Sequence, residues 1–226
     1  MKNRPFIRIP KTIIANSNSN GLYTFPYIFL AYSAGYSQQV TFTVEQFRQI
    51  IRRNCKDNLK EQIITALCEL ESDNRIKFKN DGQVFYCTLL EDFYAGTFGL
   101  LYVDEIKKLL NYPNPMPLIK VIHMLAFLRA NMTDKGLYYK TFKRISKMIT
   151  FNPTSVRDYC RKLKELDIIE FKQIDLGRKP DGSYTSKAKL QLFADKTKID
   201  WNDNLIRLEK ELKGKVASGI DELDLW

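Results

Sequence analysis

The chain has 226 residues, a net charge of +10 and 44% hydrophobic residues, with a mean hydropathy of −0.33 and a pI near 9.3. That apolar share suffices for one large core or two small ones, and no apolar run reaches the roughly 18 residues of a membrane span. The excess of cations favours a polyanionic partner.

The first half reads as a compact series. The opening "MKNRPFIRIPKTII" lacks the apolar stretch and small-residue cleavage site of a signal peptide, so a cytoplasmic protein with no membrane association is expected. "FPYIFLAYSAG" predicts an apolar helix. "TVEQFRQIIRRN" predicts a second, with Thr43 as its cap and Phe47, Ile50 and Ile51 on one face. In "NLKEQIITALCELESDN", Ile63, Ala66, Leu67 and Leu70 recur at spacings of three and four, a third helix. "RIKFK", a turn at Asn80-Asp81-Gly82 and "QVFYCTLL" then read as a hairpin.

A short helix, "VDEIKKLL", precedes "LNYPNPMP" (110–117), whose three prolines mark a linker. The second half repeats the order of the first. "MPLIKVIHMLAFLRANM" is a helix with Ile119, Ile122, Leu125, Ala126 and Met132 broadly on one side, and "YKTFKRISKMIT" supplies a second. "FNPTSVRDYCRKLKELDII" (151–169) is the third, and "IIEFKQIDL" and "SYTSKAKLQLFA" are strands around "GRKPDG". A shift of about 95 residues aligns Phe47 with Phe142 and Ile50 with Ile145; near 96, Leu67 meets Leu163 and Leu70 meets Leu166. A period that long indicates a duplicated domain.

The charge is not spread evenly. Residues 135–190 hold fourteen basic side chains against six acids, leaving +8, whereas 43–90 hold eight against seven, leaving +1. In the third helix of the second half, Asn152 caps through its side-chain oxygen and Pro153 suits the first helical position. Val156, Cys160, Leu163 and Leu166 form an apolar stripe, with Tyr159 at its margin, expected to pack on Phe142, Ile145 and Ile149. Thr154, Ser155, Arg157, Asp158, Arg161 and Lys162 form the opposite face. The plain alternative is a surface helix with solvated charges.

Three helices followed by a two-stranded wing resemble the winged-helix DNA-binding superfamily, twice over, across roughly 25–90 and 117–194. The most specific stretch is "ISKMITFNPTSVRDYCRKLKELDIIEFKQ", and the match is looser in the first copy. The resemblance implies a mainly α fold with small β-hairpin wings (α+β) and two winged helix-turn-helix domains. These would be an N-terminal domain at 1–95, a short helix and linker at 96–116, a C-terminal domain at 117–195, and a helix and tail at 196–226. It also implies double-stranded DNA as the partner, with the 152–167 helix in the major groove, roughly 12 Å wide. Arg157 would pair with guanine acceptors, Thr154 and Ser155 would reach base or phosphate, and Arg161 a phosphate. Lys143 and Lys147 flank this face. Arg178 and Lys179 in the wing loop, with Lys187 and Lys189 on the returning strand, would clamp the backbone, and Tyr184 would pack or touch sugar.

The layout resembles replication initiators of bacterial plasmids and phages. "PFIRIPKTII" followed by a winged helix is similar to phage replication and DnaD-like primosome proteins, without the carboxy-terminal Tyr/Ile/Trp signature of the latter. A transcriptional regulator using the same surface is the alternative. A third reading is a protein-interaction module whose nearly neutral first copy mediates dimerisation or helicase recruitment, with DNA binding secondary.

Chemistry finds little footing. The single histidine, His123, lies on a helix expected to be buried, and cannot supply the paired metal ligands of rolling-circle initiators and relaxases. No GxxxxGK[ST] loop, Ser/His/Asp set or zinc spacing occurs, and Cys55, Cys68, Cys87 and Cys160 are scattered as reduced thiols are. No enzyme, no cofactor and no metal are expected. After the second wing, "WNDNLIRLEKELKGK" predicts an amphipathic helix through Trp201, Leu205, Leu208 and Leu212, broken by "VASG". Asp221 and Glu222 read as exposed acids of the tail. Glu222-Leu223-Asp224-Leu225-Trp226 resembles the Gln-Leu-Ser/Asp-Leu-Phe peptide by which bacterial replication proteins dock on the DNA sliding clamp, with Glu222 in place of the glutamine. Leu223, Leu225 and Trp226 would fill the apolar pocket and Asp224 match the motif; the alternative is a tail folded on its own domain or on a dimer mate.

Overall fold

The structure is a computed structural model, and it describes residues 4–16, 24–34, 37–51, 58–112, 117–176, 190–198 and 200–218. It is an α+β protein with small antiparallel sheets, and the chain divides into two compact units, Met1–Ala130 and Asn131–Trp226. The helix expected to open the second copy lies, from Leu118 to Ala130, within the first unit. The proline-rich linker falls partly outside the described residues.

In the first unit β1 (Phe6–Pro10), α1 (Lys11–Asn16) and α2 (Thr24–Ala34) precede β2 (Gln39–Thr43), α3 (Val44–Ile51) and α4 (Leu59–Ser72). Then come β3 (Ile76–Asp81), β4 (Val84–Leu89), a 3-10 turn at Glu91–Tyr94, β5 (Phe98–Tyr102), α5 (Val103–Leu110) and α6 (Leu118–Asn131). The predicted hairpin is β3-β4, closed by Gly82 at φ +61°, a left-handed position that glycine takes without strain. β2 completes a sheet of order β2-β4-β3. Thr43 ends β2 and also caps α3: the Gln46 amide donates to Thr43 Oγ1 at 3.1 Å, and the Thr43 amide to Gln46 Oε1 at 2.9 Å. That reciprocal pair is a capping box. The core gathers Phe29, Phe42, Phe47 and Phe85 in edge-on and stacked contacts.

β1 pairs with β5 in a separate two-stranded ribbon. Gly99 in β5 lets that ribbon approach α6, since a Cβ there would stand 2.6 Å from the Ala130 amide nitrogen. Arg129 on α6 pairs with Glu105 on α5, both buried. His123, also on α6, is fully buried and shares a 2.9 Å hydrogen bond between its Nδ1 and Thr24 Oγ1. Burial lowers its pKa to about 4, so it stays neutral in the folded core.

The second unit holds β6 (Leu137–Thr141), α7 (Phe142–Ile149), α8 (Pro153–Glu165), β7 (Ile169–Ile174), β8 (Leu190–Asp195) and α9 (Trp201–Ala217). The helix expected over "YKTFKRISKMIT" starts only at Phe142. Residues 137–141 are instead β6, which pairs with β8 in a sheet of order β6-β8-β7. Every residue of β8 is buried, because both faces of this central strand are covered. Phe193 meets Tyr138, Phe142 and Phe171 on one face. Leu190, Leu192 and Ala194 join Leu205, Leu212 and Val216 of α9 on the other. Glu209 ties α9 to β7 through Lys172 at 2.6 Å, the hydrogen bond that chiefly lowers its pKa, and accepts from Lys213 at 2.9 Å. The expected break falls within "VASG": α9 runs through Gly214, where a Cβ would meet open space, seats Val216 in the core, and ends at Ala217 with Ser218 as its cap.

Candidate nucleic-acid interface

Local chemistry holds α7 and α8 at a fixed joint. The Arg144 amide donates to Thr141 Oγ1 at 3.1 Å, starting α7. Thr150 ends it in the left-handed region at φ 54°. The Phe151 amide then donates to the Ser146 carbonyl at 3.1 Å, and the Ser146 hydroxyl returns a bond to the Phe151 carbonyl. Asn152 accepts from the Thr154 amide at 2.9 Å with Pro153 at the first helical turn, as the sequence chemistry of a capped helix requires.

Val156, Tyr159, Cys160 and Leu163 anchor α8, and Ile145 and Ile149 are buried with them in this unit. Two positions differ from the expected stripe. Tyr159 lies inside it, packed edge-on against Phe151 at 5.7 Å, while Leu166, the cap residue, is half-buried. Burial pushes the Cys160 thiol far above its ordinary pKa, and Cys87 up to about 12, so both are core thiols rather than nucleophiles.

The opposite face is open. Thr154, Arg157, Asp158 and Arg161 are exposed, and Ser155 and Lys162 are half-buried. Lys143 and Lys147 on α7 are exposed beside them. Arg144, not among the contacts expected from the sequence, is exposed as well, and its place between Lys143 and Lys147 puts three cations on one short helix. The Arg157 guanidinium lies 5.7 Å over the half-buried Phe142 ring, which steadies it without burying it. Arg161 pairs with Asp158 at 3.6 Å, but their side chains remain 61% and 50% exposed, so the pair is weak enough to yield to a phosphate. Lys164 turns away to Glu170 and the Phe171 ring on β7.

Arg178, Lys179, Tyr184, Lys187 and Lys189 of the expected wing lie outside the described residues, as do Leu223, Asp224, Leu225 and Trp226. Among the described residues no group of three or more His, Cys, Asp or Glu side chains could hold a metal ion. No described helix is long and apolar enough to cross a membrane.

No protein-family model matches the chain, and no curated protein does. Several solved structures are similar to it, among them two crystal structures. A crystal structure of the Pi initiator protein in complex with iteron DNA aligns with a TM-score of 0.41 and 10% identity, over 86% of this chain and 98% of that one. A crystal structure of RctB domains 2-3 aligns with a TM-score of 0.43 and 11% identity, over 86% of this chain and 84% of that one. Likeness at that level assigns neither a fold family nor a partner.

Proposed function

We propose that the chain is a non-catalytic, sequence-specific protein of duplex DNA, that both halves are winged helices, and that the second is the reader. The observation that carries this reading is α8, capped and anchored on one side with an open, mainly cationic face on the other. On the open side Arg157, Arg161 and Lys162 stand against two acids, Asp158 and Glu165, while Lys164 is engaged with β7. A single α-helix fits the major groove, and the N-terminal residues of a docked helix reach base edges. Thr154, Ser155 and Arg157 occupy that end. Arg161, Lys143 and Lys147 are placed for phosphates, and Lys162, half-buried, stands at the margin. The wing cations Arg178, Lys179, Lys187 and Lys189 would add a sequence-independent, salt-sensitive clamp.

Within this reading we place the protein in replication initiation or primosome assembly on a plasmid or phage, supported by the resemblance of its sequence layout. The sliding clamp at residues 222–226, a helicase and a second copy of the chain are proposed as protein partners. The test titrates a genomic fragment library at two salt concentrations with the native chain and with Arg157→Ala/Arg161→Ala. The double variant is expected to bind at least tenfold more weakly with a flatter salt slope; unchanged affinity and slope would refute the interface. Mapping the bound sites separates the roles: direct repeats beside an AT-rich stretch fit an origin, and promoter-overlapping palindromes fit a repressor.

A further inference from the structure

The two three-stranded sheets share one strand order but differ in what covers them. In the second unit the face carrying Leu137, Leu190, Leu192 and Ala194 is sealed by α9. The corresponding face of β2-β4-β3 carries Gln39, Thr41, Lys77, Lys79, Tyr86 and Thr88, and all six are exposed. The register sets them in two rows, Thr41–Tyr86–Lys79 and Gln39–Thr88–Lys77. The rows lie two residues apart along the strands, about 6.6 Å. These residues line a concavity of about 660 Å³, in which Tyr86 is 48% exposed. Such a surface is too polar to seat an apolar helix as its counterpart does. It offers instead an aromatic platform, two cations and a set of hydroxyl and amide groups.

We infer that this sheet face binds single-stranded nucleic acid, with one base stacked on Tyr86 and the phosphates on either side of it held by Lys79 and Lys77. Aromatic rings on a basic surface take any base, because every base presents a π-face, and lysines track the backbone. The rim carboxylate Glu71 is the one acid among the lining residues. It accepts from the Phe78 amide at 3.2 Å, so part of its hydrogen-bonding capacity is spent at the edge of β3. Thr41, Thr88 and Gln39 supply donors for sugar and phosphate oxygens. The inference does not depend on α8, and the two surfaces fail separately.

The test measures anisotropy of labelled oligo(dT) of about 16 nucleotides, the upper end of what one small domain covers, with oligo(U) as a second arm to distinguish DNA from RNA. The full chain is used throughout, with thermal melts to confirm folding of each variant. Tyr86→Ala is expected to weaken oligo(dT) binding about tenfold, Tyr86→Phe to keep it, and Lys77→Ala/Lys79→Ala to flatten the salt slope by about one. No binding of either oligonucleotide by the native chain overturns the inference, and so does a Tyr86→Ala variant that binds as the native chain does. A Tyr86→Phe variant as weak as Tyr86→Ala, or an equal loss on duplex, overturns it too.

Discussion

α4 and α8 occupy the same place in the element order of their halves, each following a short capped helix and leading into a strand pair. Their buried sides match in kind: Leu59, Ile63, Ala66, Leu67 and Leu70 in one, Val156, Tyr159, Cys160 and Leu163 in the other. Their outer sides do not. α4 sets Lys60 against Glu61, Glu69 and Glu71, while α8 sets Arg157, Arg161 and Lys162 against Asp158 and Glu165, its fourth cation, Lys164, being engaged with β7. Two helices of one architectural kind therefore offer opposite potentials to a polyanion. A shared scaffold does not carry a shared partner; the outward residues decide it.

The comparison breaks most sharply if charge is moved. Arg157→Glu/Arg161→Glu gives α8 the character of α4 and should lower duplex affinity by two orders of magnitude or more in fluorescence anisotropy, since each lost contact is worth about 1–3 kcal/mol and repulsion is added. The reverse change on α4, Glu61→Lys/Glu69→Lys, should move it by less than about threefold. A gain on α4 equal to the loss on α8 would make net charge, not placement, the determinant.

Stability separates the units next. His123 has its folded pKa held near 4 by burial, below the ordinary 6.5. Above pH 6.5 the unfolded chain holds no extra proton there, so the full stability is present. As pH falls from 6.5 toward 4 the unfolded chain binds a proton that the folded core refuses, and about 3 kcal/mol is lost. Urea unfolding of the full chain across that window, with His123→Gln as the comparison, should show the first unit losing stability in the native chain and much less in the variant.

The smallest effect lies in the caps. Asn152 accepts the Thr154 amide, but Asn58 makes no side-chain cap to α4. Asn152→Ala should cost about 1 kcal/mol and Asn58→Ala a few tenths at most, read from thermal melts.

Much of this was legible beforehand. α2, α4, α6, α8 and the β3-β4 hairpin follow from apolar spacing, a cap with proline, and a turn glycine. The Asn152-Pro153 start was readable because both residues act locally. β1, β2, β5 and β6 were not, for a physical reason: each has five residues, and its partner lies far along the chain, Phe6 opposite Tyr102 and Leu137 opposite Ala194. β2 and β6 also run directly into helices, so Thr43 and Thr141 each end a strand and cap a helix, and the period changes without a break. Tyr159 was set at the margin because its partner, Phe151, precedes the helix and shares no periodicity with it. The bare sheet face around Tyr86 was invisible until register brought Lys77 and Lys79 beside it. The charge contrast itself was plain in the sequence, +1 over 43–90 against +8 over 135–190.

The most direct measurement places a photo-crosslinking residue at position 161 on α8 and, separately, at position 69 on α4 of the full chain, each mixed with the same bound duplex. Crosslinks from 161, abolished by unlabelled duplex, and none from 69 are the predicted result. Crosslinks from 69 with none from 161 would contradict the account outright.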